Sequence, residues 1–260
     1  MPHTLRESCY MPRGASQTPG AERSQEDQGT ALRSSPPSSL QSRPRLWIKV
    51  GLLALPCLGL VLLFLAPWLF PGPPVGNYVV TPPHPMEVGE RLVGPVVYTL
   101  DARASDQWTY FDFSRSSVVE VPHQFSVDWD LAFQRHQILA NGGATNPKGK
   151  GAILNLGDIA FEAVTEAPAD GYVEDTIASI TPESLITENL AVKAWYRYNM
   201  LTHILRPKPN VYVIRTADGK YAKMRLLSYY CAGGEASGCF TFEYVYQGDG
   251  SRNFVPTSAQ

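Results

Sequence analysis

The sequence has little of what marks an enzyme. In 260 residues there is no G-x-S-x-G, H-E-x-x-H, P-loop or G-x-G-x-x-G pattern, so the local signatures of serine hydrolases, zinc peptidases and nucleotide-binding folds are missing. Acids such as Asp158, Glu162, Asp170 and Asp175 are scattered and read as solvated edges and loops, so no catalysis is expected. Charge excess is missing as well. The net charge is −2, with no basic patch in the C-terminal two-thirds, which excludes a nucleic-acid partner held by electrostatics. Cysteine is scarce: there are four, and none falls in a C-x-x-C pattern, which excludes the usual thiolate metal and dithiol redox motifs.

Charge is also absent from residues 50–70, "VGLLALPCLGLVLLFLAPWLF". That stretch is long enough to cross a hydrocarbon layer of about 30 Å as a helix. It has no polar face, as a helix of a soluble core would. Trp47 and Trp68 fall where an interfacial aromatic belt belongs. Arg43, Arg45 and Lys49 precede the run, and no Lys or Arg follows it until Arg91, which orients the N-terminus toward the cytoplasm. A cleaved signal peptide is the competing reading, but the run is long for one and "PWLFPGPP" lacks an A-x-A-like site. "LALPC", ending at Cys57, matches a lipoprotein box only loosely, because Pro56 occupies the small-residue position. The expectation is a single-pass signal anchor over residues 46–70, in contact with the lipid bilayer of a bacterial inner membrane, with the C-terminal domain periplasmic.

The remaining organisation follows from composition. Residues 1–45 are rich in Ser, Pro, Gln, Arg and Gly and bury too little to offset chain entropy, so they read as a disordered cytoplasmic tail. Residues 71–93, with "PGPP" and "TPPHP", read as a stiff Pro-rich spacer. Residues 94–250 form the exported domain and residues 251–260 a C-terminal tail.

Within that domain, short alternating segments separated by turn residues predict a mainly β, antiparallel architecture. "QWTYFDF" and "SVVEVP" read as a hairpin, and "GAILNL" and "DIAFEAV" repeat the pattern around Gly157-Asp158. "VYVIR" and "KYAKMRLLSYY" flank Thr216-Ala217-Asp218-Gly219, a tight turn in which Gly can supply the positive φ. "CFTFEYVYQ" puts Phe240, Phe242, Tyr244 and Tyr246 on one side, with Thr241, Glu243 and Val245 on the other. One short helix is expected in "TPESLITENLAVKAWYRYN", where Thr181 can cap, Pro182 suits the first helical position and Glu183 favours the positive helix end. Cys231 and Cys239 flank a Gly-containing loop between two strands. Opposite positions of such a hairpin lie within disulfide reach, so the two would bridge in an oxidising compartment and stay reduced otherwise.

"WDLAFQRHQILANGG" holds the most suggestive cluster of residue types. Read as a strand, Trp129, Leu131, Phe133 and Leu139 share one face, and His136 shares the other with Asp130 and Gln134. That makes His136 a surface or polar-network residue, with a ligand role as the alternative. His84 falls in the Pro-rich spacer and reads as a solvated loop residue.

"DQWTYFDFSRSSVVEV", "DWDLAFQRHQILANGG", "PKGKGAILNL", "VIRTADGKYAKMRL" and "CFTFEYVY" stand in the order seen in the HmuY-like family of haem-binding proteins, and the chain resembles that family from Gly94 to Gln247. The resemblance implies a mainly β fold and capture of haem, without catalysis, between two axial side chains. It places one axial ligand five residues after a Trp in a segment similar to "WYRYNMLTH", which is Met200 here, a thioether. His203 follows three residues later beside Tyr198, and His123 or His136 would have to come from another strand. The bland reading of Met200 is a core gap-filler. The other family ligand precedes that Trp, and here residues 174–193 contain no His, Cys, Met or Tyr. Trp129, Asp130, Arg135, Asn141, Gly142, Gly143, Arg215, Asp218 and Gly219 match as architecture. Two functions follow: a tethered haem or tetrapyrrole binder, or an envelope protein-interaction module on the same scaffold that has lost haem ligation.

Overall fold

The structure, a computed structural model, describes residues 56–62, 65, 76–87, 89–181, 183–233 and 236–256. Of the run expected to cross the membrane, only residues 56–62 and 65 are described, and they are helical. Among the described residues no helix is long and apolar enough to cross a membrane. The tail over 1–45 and most of the 46–70 span lie outside the described residues.

Thirteen strands are described: β1 (Leu92–Asp101), β2 (Thr109–Asp112), β3 (Ser117–Val119), β4 (Leu131–Gln134), β5 (Gln137–Ala140), β6 (Ala152–Asp158), β7 (Thr176–Thr181), β8 (Ser184–Glu188), β9 (Tyr196–Tyr198), β10 (Leu205–Pro207), β11 (Asn210–Arg215), β12 (Tyr221–Tyr230) and β13 (Ser237–Gln247). They form a five-stranded sheet ordered β1-β13-β12-β11-β6, a four-stranded sheet ordered β3-β2-β4-β5, and two separate hairpins, β7-β8 and β9-β10. Every pairing between these strands is antiparallel.

The alternation in β13 organises the interior. Phe240, Phe242, Tyr244 and Tyr246 all point into one cluster with Leu100 of β1, Phe111 of β2 and Leu131 and Phe133 of β4. The two sheets therefore pack face to face. Phe242 meets Phe111 edge-on at 5.1 Å and stacks on Phe133 at 5.7 Å, the arrangements that aromatic quadrupoles favour. Val245, on the opposite side of β13, packs with Val211, Val213, Phe161 and Phe254 in a second cluster. The β11–β12 hairpin turns at Thr216–Gly219 as the sequence predicts, with Gly219 at φ 94°. The Cys231–Cys239 disulfide closes the end of the β12–β13 hairpin.

Three local expectations need correction. The helix expected after Thr181 is instead β8, paired with β7 so that Ala178 opposes Ile186 and Ile177 opposes Thr187. The β-branched residues Thr176, Ile177, Ile180 and Thr181 of β7 and Ile186 and Thr187 of β8 favour a paired hairpin over a helix. Among the described residues of the β domain, the short helix lies elsewhere, a 3-10 turn at Phe161–Ala163, within the "DIAFEAV" segment expected to be strand. It forms there because Phe161 and Val164 bury into the second cluster while Lys223 Nζ donates to both of their carbonyls at 2.9 Å. Finally, "WDLAFQRHQILANGG" is a hairpin rather than one strand, turning at Arg135 with φ 51°. Leu131 and Phe133 enter the main core, whereas Trp129, Ala132 and Leu139 form a third cluster.

Residues 77–86 run along the domain: Tyr78 bridges Cys231, Thr81 N donates to Thr99 O at 2.8 Å, and His84 N donates to Ser117 Oγ at 2.9 Å. Phe254 is buried in the second cluster.

Candidate functional site

The β9–β10 hairpin carries three of the residues singled out by sequence. Trp195 anchors its base. The indole is buried against Tyr229 at 5.3 Å and Phe240 at 5.1 Å, and its Nε1 donates to the carbonyl of His136 at 2.9 Å. Leu205 N donates to Tyr230 OH at 3.0 Å, which ties the second strand down as well. The tip is shaped by Asn199, whose Oδ1 accepts the N–H groups of Leu201 at 2.9 Å and Thr202 at 3.1 Å. An Asn side chain that takes the place of backbone in this way stabilises a tight turn.

Met200 sits on this tip and is 81% exposed. It fills no gap in the core, so the bland reading of this methionine is overturned. His203 closes the tip in the left-handed region at φ 55°, with its N–H donating to Asn199 O at 2.8 Å. Its Nδ1 is engaged by the hydroxyl of Tyr198. That contact leaves Nε2 without a hydrogen bond among the described residues, the arrangement of histidines oriented through one ring nitrogen.

His136 lies apart, exposed on the β4–β5 turn, where its ring meets Tyr196 edge-on at 6.2 Å. The structure thus brings Tyr198 and His203 into contact, puts Met200 on the same tip and sets His136 beside the base of the hairpin. His84 and His123 belong to other loops.

Between β5, β8 and the base of β9 is a cleft of about 380 Å³, lined by His136, Ile138, Leu139, Ile186, Lys193 and Tyr196 among others. That volume is at the lower end of the range for small-molecule sites. Lys193 Nζ pairs with Glu188 at 2.7 Å on its rim. Asp175, expected on a solvated edge, is instead buried and holds this wall in place: its carboxylate accepts from Ala140 N at 3.0 Å, Thr145 Oγ1 at 2.5 Å and Asn189 Nδ2 at 2.8 Å. Burial pushes its pKa up to about 6. The β7–β8 hairpin carries Ile177, Ile180 and Leu185 exposed and no soft or nitrogenous donor.

The β9–β10 tip thus carries one thioether, Met200, and one imidazole, His203, donor types that haem iron accepts axially. Among the described residues, no three His, Cys, Asp or Glu side chains gather as a metal-chelating group.

The family model for the HmuY protein matches residues 104–244. Among solved structures, the chain is similar to the apo HmuY analog of Tannerella forsythia at 19% identity and a TM-score of 0.47, covering 62% of this chain and 99% of that one. It is similar to apo PinO from Porphyromonas gingivitis at 15% identity and a TM-score of 0.46, covering 60% of this chain and 97% of that one. No curated protein matches it by sequence.

Proposed function

We propose, from the premise that this chain belongs to the HmuY family, that it is a membrane-tethered, non-catalytic binder of haem or a related tetrapyrrole. The observation that carries this reading is an exposed thioether, Met200, on a tip ordered by Asn199 and beside an imidazole held by Tyr198. Thioether and imidazole donors bind haem iron axially, and apolar walls such as Ile138, Leu139 and Tyr196 suit the porphyrin faces. His136, on the β4–β5 turn against Tyr196, stands as a reserve donor or a wall residue.

The tether is residues 46–70, with the N-terminus in the cytoplasm and the β domain in the periplasm. The Cys231–Cys239 disulfide supports an oxidising compartment for the domain. Protease added to intact spheroplasts should digest the domain; an untouched domain that is cut only after lysis would remove the orientation.

The deciding experiment is a haemin titration of the full chain in lipid nanodiscs, followed at the Soret band. A shifted band that is lost in Met200→Ala is the expected result. A spectrum that stays that of free haemin would overturn the reading.

A second reading, an envelope protein-interaction or assembly module, is favoured by one feature. The β7–β8 hairpin, on the segment where the family resemblance implies the other ligand, exposes Ile177, Ile180 and Leu185 without a donor. Copurification of a partner with the detergent-solubilised protein, lost in Leu185→Asp, would support it.

A further inference from the structure

A second groove opens on the outer face of the four-stranded sheet, beside the cleft proposed for haem. It measures about 360 Å³, and its lining includes Trp108, Tyr110, Gln124, Phe125, Gln137 and Thr187. Its floor is the third apolar cluster, where Tyr110 lies against the buried Trp129 at 4.9 Å with the rings tilted by 57°. Trp108 and Tyr110 are half-buried, and Phe125 is 46% exposed. Trp108 and Tyr110 thus pack on that cluster with part of their surface open.

Two properties decide what such a groove can take. No residue lining it is charged. An anion would find no cation to offset its desolvation, and neither would a tetrapyrrole with its carboxylates. The polar groups that line it are neutral: the Gln124 and Gln137 amides, the Trp108 indole N–H and the Tyr110 hydroxyl. Amides both donate and accept, and Trp and Tyr pair a flat apolar body with a polar edge. The complementary ligand is flat and apolar on its faces, carries neutral hydroxyls around its rim and bears no charge. A pyranose ring has that chemistry.

We propose that this groove binds a neutral saccharide, with Trp108 and Tyr110 as stacking surfaces and Gln124 and Gln137 bonding to ring hydroxyls. The saccharide would lie next to the haem cleft, because Gln137, Leu139, Ile186 and Thr187 line both.

The test is isothermal titration of the full chain in nanodiscs with cellohexaose, laminarihexaose and triacetylchitotriose, and with an oligogalacturonate as the charged control. At least one neutral sugar should bind. Its affinity should fall about tenfold or more in Trp108→Ala and in Gln137→Ala, be largely kept in Trp108→Phe, and stay unchanged in Met200→Ala. Far-UV circular dichroism of each variant checks that the fold survives, and Gln137→Ala carries the test if Trp108→Ala does not fold. The proposal is overturned if none of the three neutral sugars binds, if the galacturonate binds as tightly, or if both substitutions leave binding unchanged. Haemin that displaces the sugar and itself depends on Gln137 would also overturn it, by assigning the groove to the tetrapyrrole. Loss of haemin binding in Met200→Ala with sugar binding intact separates this site from the one proposed above.

Discussion

The carboxylate of Asp130 accepts the backbone N–H of Ala217 at 2.9 Å, joining residues 87 positions apart in the chain. Its other oxygen accepts from Phe113 N at 2.9 Å. One buried side chain therefore ties the entry to β4, the end of β2 and the β11–β12 turn, and so fastens one sheet to the other.

Removing that side chain strands two buried N–H groups at once. An unsatisfied buried donor costs about 1–3 kcal/mol, so Asp130→Ala should lower stability by roughly 3 kcal/mol or more. Asp130→Asn keeps one acceptor and should cost less. Urea denaturation of the two variants checks the order, and equal losses would mean that the two N–H groups find other partners.

The parts of the fold legible in the sequence are those fixed by local chemistry. From Phe240 to Tyr246, β13 places an aromatic residue at every second position, and Asp218-Gly219 specifies the β11–β12 turn by itself. The β7–β8 hairpin was obscured because Thr181-Pro182-Glu183 carries helix-start chemistry, and strand pairing between segments rich in β-branched residues decided against it. The site was legible by residue type but not by placement. Trp195 reaches the carbonyl of His136 across 59 positions, and no sequence spacing announces that contact. The exposure of Met200 follows from the Asn199 turn, whose only signal is an Asn among aromatics.

Asp175 makes stability depend on pH in a definite direction. Burial raises its pKa from 3.8 to about 6, so between those values the folded protein keeps a proton that the unfolded chain has released. Its contribution is complete below the unfolded value and is lost as pH rises through about 6, amounting to about 2–3 kcal/mol. Burial shifts Asp130 the same way. Melting curves from pH 4 to 7 should show the wild-type advantage over Asp175→Asn shrinking as pH rises. An advantage that grows with pH would reverse the assignment.

The Cys231–Cys239 bridge spans a sequence separation of 8. A loop this short restricts the unfolded chain modestly, by about 2.5 kcal/mol in the chain-entropy view. The paired substitutions Cys231→Ser and Cys239→Ser should lower the unfolding free energy measured in urea by that amount and leave the far-UV spectrum intact. Cys239 is fully buried, so Cys239→Ser alone also leaves a hydroxyl to satisfy and should be the more damaging of the two single changes.

The haem reading makes a prediction that a merely structural Met200 would not meet. Axial thioether raises the reduction potential of haem iron relative to axial imidazole. Met200 is exposed on its turn, so Met200→His can be accommodated without repacking the core. Haemin should therefore still bind Met200→His, with the midpoint potential moved to lower values and the visible bands altered. It should fail to give the shifted Soret band with Met200→Ala. Tyr198→Phe frees the His203 ring by removing the hydroxyl on Nδ1, and it should weaken haemin binding by about 10- to 100-fold, as loss of an orienting partner does at other metal sites. Spectroelectrochemistry of the three variants checks all of this. Equal potentials in the wild type and Met200→His would show that the sulfur is not an axial donor, whatever happens to affinity.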